Sequence, residues 1–159
     1  MSKTLVAYFS ASGVTRAVAK SLAAAADADL FEIEAAPHYS EADVNWRDKN
    51  SRASRENADP SSRPEIAKKV TDMGQYDVVY LGYPIWWGGA PRIINSFLES
   101  YDFEGKVIIP FATSGGSSLG RSGDVLREAS APKATWLKGK LLNGNPSVSD
   151  LKAWTDSVK

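Results

Sequence analysis

Two rhythms of apolar residues alternate along the chain. "TLVAYF", Thr4 to Phe9, is an unbroken apolar run of the kind buried on both faces of a parallel sheet. From Val14 to Ala26 the spacing becomes helical, with Val14, Ala17, Val18 and Leu22 on one side. "DLFEIE", Asp29 to Glu34, alternates like a strand with a half-buried face, and "YDVVYLGY", Tyr76 to Tyr83, is a third strand. "PRIINSFLESY" predicts a helix with Pro91 at its start. "KVIIPFAT", Lys106 to Thr113, is a fourth strand, and "SSLGRSGDVLREA" a helix weakened by its glycines. "ATWLKGKLL" is a weaker fifth strand in which Gly139 marks a bulge or a kink. The last helix opens at "SVSD", where Ser147 and Asp150 fit a capping box.

Strands alternating with helices predict an α/β fold, a doubly wound parallel sheet with helices on both faces and right-handed connections. No internal repeat or domain boundary interrupts residues 1–159, so a single domain is expected. The irregular part is a charged loop at about 36–64. Its five basic residues (Arg47, Lys49, Arg52, Arg55, Arg63) are interleaved with five acidic ones (Glu41, Asp43, Asp48, Glu56, Asp59), which predicts a solvated, self-paired segment.

Composition narrows the function. Nineteen basic against nineteen acidic side chains give a formal charge of +0, leaving no basic excess for nucleic-acid phosphates. The absence of cysteine excludes disulfides and thiolate chemistry. No apolar run approaches the ~20 residues of a membrane span. With Met1-Ser2-Lys3 leading straight into a strand, a cytoplasmic protein without a leader is expected.

In an open α/β sheet, ligands bind beyond the carboxyl ends of the strands, where the winding direction switches. Three loops of unusual composition fall there. "SASGVT" gathers hydroxyls at Ser10, Ser12 and Thr15 around Gly13, ahead of a helix N-terminus that favours an anion. It lacks the lysine of a triphosphate loop and the glycine spacing of a dinucleotide fold, which leaves a terminal monophosphate held by neutral donors. An ordinary N-cap turn is the plainer alternative, but one hydroxyl would suffice for it. "PIWWGGA" places Trp86 and Trp87 after a strand, so that one indole can face the core while the other offers a flat surface to a ring. "TSGGSSLG" supplies small residues, N–H groups and hydroxyls for the polar edge of a heterocycle. Phosphate cradle, aromatic plate and polar edge together describe a flavin mononucleotide site.

Across its whole length the chain resembles the flavodoxin-like family, specifically its short flavodoxin-type FMN flavoproteins. "AYFSASGVT", "YDVVYLGYPIWWGGAPRIINSFLE" and "KVIIPFATSGGSSLGRS" carry the resemblance, with "NWRDKNSRASRENADPSSRPEI" resembling the segment before the second helix. It implies a five-stranded parallel sheet in order 2-1-3-4-5, with FMN between strands one and three. By position, Ser10, Ala11, Ser12, Gly13, Val14 and Thr15 would hold the phosphate. Pro84, Ile85, Trp86, Trp87 and Gly88 would line the isoalloxazine, Trp86 being the expected stacking face. Thr113, Ser114, Gly115, Gly116 and Ser117 would meet the pyrimidine edge.

Two features depart from the electron carriers of that family. The third loop holds no second aromatic, so Trp46 or Tyr39 is the candidate to cover the open flavin face; and the neutral surface lacks the acidity of a carrier that docks on basic partners. The leading expectation is a low-potential electron shuttle serving redox partner proteins. The alternative is an NAD(P)H oxidoreductase that reduces quinones or similar small acceptors. A phosphoacceptor receiver would need acids after strand one and an aspartate after strand three, where Ser10 and Tyr83-Pro84 stand. The single histidine, His38, is expected at the surface. Asp124 and Glu128 are expected on a solvated helix face.

Overall fold

The computed structural model describes residues 3–114 and 118–158. The chain runs β1 (Lys3–Tyr8), α1 (Val14–Ala26), β2 (Asp29–Glu32), α2 (Arg52–Ala58), a 3-10 turn (Met73–Gln75), β3 (Tyr76–Pro84), α3 (Arg92–Glu99), β4 (Val107–Thr113), α4 (Ser122–Ser130), β5 (Thr135–Trp136), β6 (Lys140–Leu141) and α5 (Val148–Ser157). All strand pairs are parallel, in the order β2-β1-β3-β4-β5, with β6 also on β4. This is the flavodoxin-like order 2-1-3-4-5, with the fifth position shared by two short strands.

The continuous apolar runs follow from burial on two sides. Successive side chains of a strand point to opposite faces. Leu5 and Ala7 of β1 therefore join Val79, Leu81, Ile93, Phe97 and Ile108 in one core, under α3 and α4. Val6 and Tyr8 join Tyr80, Ile109 and Phe111 in the other, under Leu22 of α1 and Trp154 of α5. Both layers hold the strand ends rigidly, and that rigidity positions the loops beyond them.

Two elements differ from the sequence expectation. The fifth strand breaks in two because Pro110, opposite it in β4, has no N–H for the ladder. Gly139 lets the chain pass this point, since a Cβ there would lie 2.3 Å from the Pro110 carbonyl oxygen. The charged loop, expected without regular structure, contains α2. Only Ala53 of that helix is buried, so no apolar periodicity announces it. It is held by Ser51, whose hydroxyl accepts from the Ser54 N–H, and by the Arg52–Glu56 ion pair at 3.0 Å. A single antiparallel bridge, Ala35 with Ile66, closes the base of the loop.

Candidate functional site

The carboxyl ends of β1, β3 and β4 deliver the three loops to one place, and each touches the next. The Thr15 and Thr113 hydroxyls lie 2.7 Å apart, although 98 residues separate them. The Ile85 N–H donates to the Thr113 carbonyl at 2.9 Å. Phe9 meets Trp86 edge-on, with ring centroids 5.7 Å apart. The first loop is thus joined to the second and third by direct contact.

Gly13 forms the N-cap of α1 with φ 94°, a left-handed backbone that a side chain would strain. The Ser10 hydroxyl accepts from the Gly13 N–H at 3.0 Å and holds the loop in this shape. No side chain caps α1. Serine hydroxyls do cap α2 and α5, at Ser51 and Ser147. A helix start left without a capping side chain, beside exposed Ala11, Ser12 and Val14, presents N–H donors to an anion. Thr15 is buried, and its hydroxyl faces Thr113 rather than solvent.

After β3 the chain makes a tight turn. The Trp86 N–H donates to the Gly89 carbonyl at 2.8 Å, and the Gly89 N–H returns to Trp86 at 3.0 Å. Trp87 (φ 49°) and Gly88 (φ 76°) occupy its centre, both left-handed, as a type I′ turn requires. Glycine or asparagine suits these positions, so tryptophan at the first is strained by about 1 kcal/mol. The two indoles divide as expected, but Trp86 is the one that faces inward: it packs edge-on against Phe9 and Tyr39, both at 5.7 Å. Trp87 is 46% exposed and meets Trp86 edge-on, with ring centroids 6.5 Å apart. Pro84 and Ile85 are half-buried behind them.

The loop after β4 begins with Thr113 and with Ser114, whose N–H donates to Asn143 Oδ1 at 2.9 Å. Gly115, Gly116 and Ser117, expected at the pyrimidine edge, lie outside the described residues.

The flavodoxin family profile matches residues 3–158. The chain belongs to the flavodoxin family. No protein of curated function matches it. Two similar structures are those of proteins given as flavoproteins. One is from Bacteroides eggerthii, 49% identical with TM-score 0.94 over 99% of this chain and 98% of that one. The other is from Bacteroides uniformis, 49% identical with TM-score 0.92 over 98% of both chains. A flavoprotein from Lactobacillus acidophilus, solved in complex with FMN, shares the fold at 22% identity and TM-score 0.73, over 98% of this chain and 99% of that one.

Against that family background, several residues take definite places. Tyr39 is not free to swing over a ligand. Its hydroxyl donates to Glu56, the Arg52 guanidinium stacks on its ring at 4.0 Å, and burial with Glu56 drives its pKa up. Trp46 is 65% exposed, with Arg47 over its ring at 5.0 Å. Arg52 pairs with Glu56 inside the loop, as the interleaved charges suggested, whereas Arg63 pairs outside it, with Glu99 at the end of α3. His38 is exposed, and Asp124 and Glu128 share Arg121 on a solvated face. No described helix is long and apolar enough to cross a membrane, and the described residues form no metal-ligand cluster. A depression of about 750 Å³ lies among Lys3, Asp29, Val78 and Val107 at the opposite ends of the strands and touches none of the three loops.

Two polar residues near the site escaped the sequence reading. Arg16, directly after Thr15, is a basic residue in the first turn of α1, where side chains point back toward the helix start. That position was a usable signal. Asn143, beyond β6, gave none, because only the sheet brings it to Ser114.

Proposed function

We propose that the chain binds FMN between these three loops and works as an electron-transfer flavoprotein. One observation carries the reading: a strained, exposed Trp87 stands in a cluster with an α1 start that no side chain caps. Backbone strain at a bulky residue is retained where the side chain serves a ligand. The N–H groups of Ser12, Val14 and Thr15 at the uncapped start of α1, with the Ser12 hydroxyl, would hold the FMN phosphate, the Gly13 N–H being kept by Ser10. Trp86, braced by Phe9 and Tyr39, forms a fixed wall, and Trp87 closes on the ring from the turn. Thr113 and Ser114 meet the pyrimidine edge.

FMN supplies one- and two-electron redox chemistry when bound, and the protein orients it and excludes water. Gly88 and Gly89 tolerate both backbone orientations, so the peptide between them can offer either a carbonyl or an N–H to the ring. Redox partner proteins are the natural counterparts of such a carrier.

A second reading rests on the lack of a fixed aromatic on the β4 side. Tyr39 is tied down beside Trp86, and the sequence between Thr113 and Ser122 holds no aromatic. An open ring face suits hydride transfer from NAD(P)H, and so an oxidoreductase acting on quinones or similar acceptors. Anaerobic titration of the FMN-loaded protein separates the two. Resolved one-electron steps with dithionite, and no reduction by NADPH, are expected of the carrier. Rapid two-electron bleaching by NADPH would give the enzyme instead.

A further inference from the structure

Beside the phosphate loop lies a shallow depression of about 160 Å³, lined among others by Ser10, Ala11, Arg16, Glu32, Glu34 and His38. Its floor carries an ion pair that the neutral-donor picture of the loop does not use. Arg16 donates through one terminal nitrogen to Glu32 Oε2 at 2.5 Å, and the Tyr8 hydroxyl donates to Glu32 Oε1 at 3.3 Å. The other terminal nitrogen of Arg16 comes within 3.9 Å of the point where a Cβ on Gly13 would sit. The guanidinium therefore bridges β2 and the turn of the phosphate loop, with its side chain still 41% exposed.

We infer that Arg16 is a phosphate-binding residue of this site and that Glu32 is the counter-ion that orients it and limits its charge. The inference rests on the FMN reading above. Glu32 takes one terminal nitrogen of the planar fork and the Tyr8 side chain also bonds the guanidinium, while the other terminal nitrogen lies toward the turn at Gly13. A flavin ester arriving at α1 then meets one charged donor besides neutral ones, already held in place and needing little ordering. Because Glu32 offsets the cation, the empty loop carries no net excess charge. The carboxylate also opposes any further anion in the depression.

The test compares FMN with riboflavin, which shares the ring and lacks the phosphate. Affinities are measured by quenching of flavin fluorescence for the wild type, Arg16→Ala, Glu32→Gln and the double variant Arg16→Ala/Glu32→Ala, with unfolding curves to confirm the fold. Arg16→Ala should weaken FMN by about tenfold to a hundredfold, as for loss of a hydrogen bond to a charged group, and leave riboflavin unchanged. Glu32→Gln keeps an acceptor for Arg16 but removes the opposing charge. It should tighten FMN severalfold and steepen the salt dependence of binding. The double variant should recover only the severalfold that the unpaired Glu32 carboxylate costs and should stay weaker than the wild type. An unchanged FMN-to-riboflavin ratio in Arg16→Ala overturns the role of Arg16, as does full recovery to wild-type affinity in the double variant, which would mean that Arg16 only shields Glu32. Unchanged or weaker FMN binding in Glu32→Gln overturns the counter-ion role. Failure of the wild type to bind FMN at all overturns the parent reading instead.

Discussion

At position 87 local energetics and function pull in opposite directions. A tryptophan at φ 49° is held against its own preference, in a turn that glycine would form without strain. Trp87→Gly should therefore stabilise the ligand-free protein by about 1 kcal/mol in urea unfolding. The same change should weaken FMN by roughly tenfold or more, since a stacked aromatic is worth about 1–3 kcal/mol in comparable base-stacking sites. Trp86 should behave differently because it is packed on Phe9 and Tyr39. Trp86→Ala should lower both properties, with a stability loss of about 2 kcal/mol for a half-buried indole. If Trp87→Gly leaves FMN titration unchanged, its side chain is not part of the site.

Two junctions between elements make separate predictions. Gly139 passes against Pro110 where the fifth strand breaks, and there is no room for a methyl group. Gly139→Ala should cost about 1–3 kcal/mol, as overpacking does, and should move β6 together with Asn143. The second junction is Glu99 at the end of α3. Arg63 from the charged loop donates to both its oxygens at 3.0 Å, and Ser130 of α4 adds a donor at 2.6 Å. The Arg63 hydrogen bond, foremost among these contacts, holds the Glu99 carboxyl below its ordinary value of 4.5. A carboxyl held low in the folded state contributes stability that is complete above the unfolded pKa and is lost as the pH falls through the folded one. Unfolding curves between pH 5 and pH 2 should show that loss, and Glu99→Gln should flatten it over the same range.

For the molecule as a whole, a ligand that joins the three loops should stabilise the entire fold. FMN at about a hundred times its dissociation constant adds ~2.7 kcal/mol, which for a chain of this size raises Tm by roughly 5–10 °C. Riboflavin at the same concentration should give a smaller shift, because it leaves the start of α1 uncapped. Thermal unfolding with each flavin measures the difference. The formal charge of +0 acts at this scale too. Without a strong field to steer encounter, electron exchange with a protein partner should depend only weakly on ionic strength, measurable by stopped-flow reduction in rising salt.

The apolar rhythm along the chain was enough for the alternation of strands and helices and so for the doubly wound class and the loops beyond the strand ends, whereas the strand order came with the family resemblance. Burial on both faces leaves its mark on the unbroken buried runs 5–8 of β1, 79–83 of β3 and 108–113 of β4. The α5 capping box was legible for the same local reason: its partners lie three residues apart. Where contacts join residues distant in sequence, the pattern was silent. It missed α2, because that helix depends on Ser51 and the Arg52–Glu56 pair rather than on an apolar stripe. It could place Trp86 and Trp87 together but could not say that Phe9 and Tyr39 draw the first inward and leave the second exposed. Nor could it bring Arg16 to Glu32, Thr15 to Thr113 or Ser114 to Asn143. Hydrophobic periodicity is written locally and repeatedly, so one sequence carries it. The direction of a single polar or aromatic side chain depends on neighbours that only the folded sheet assembles.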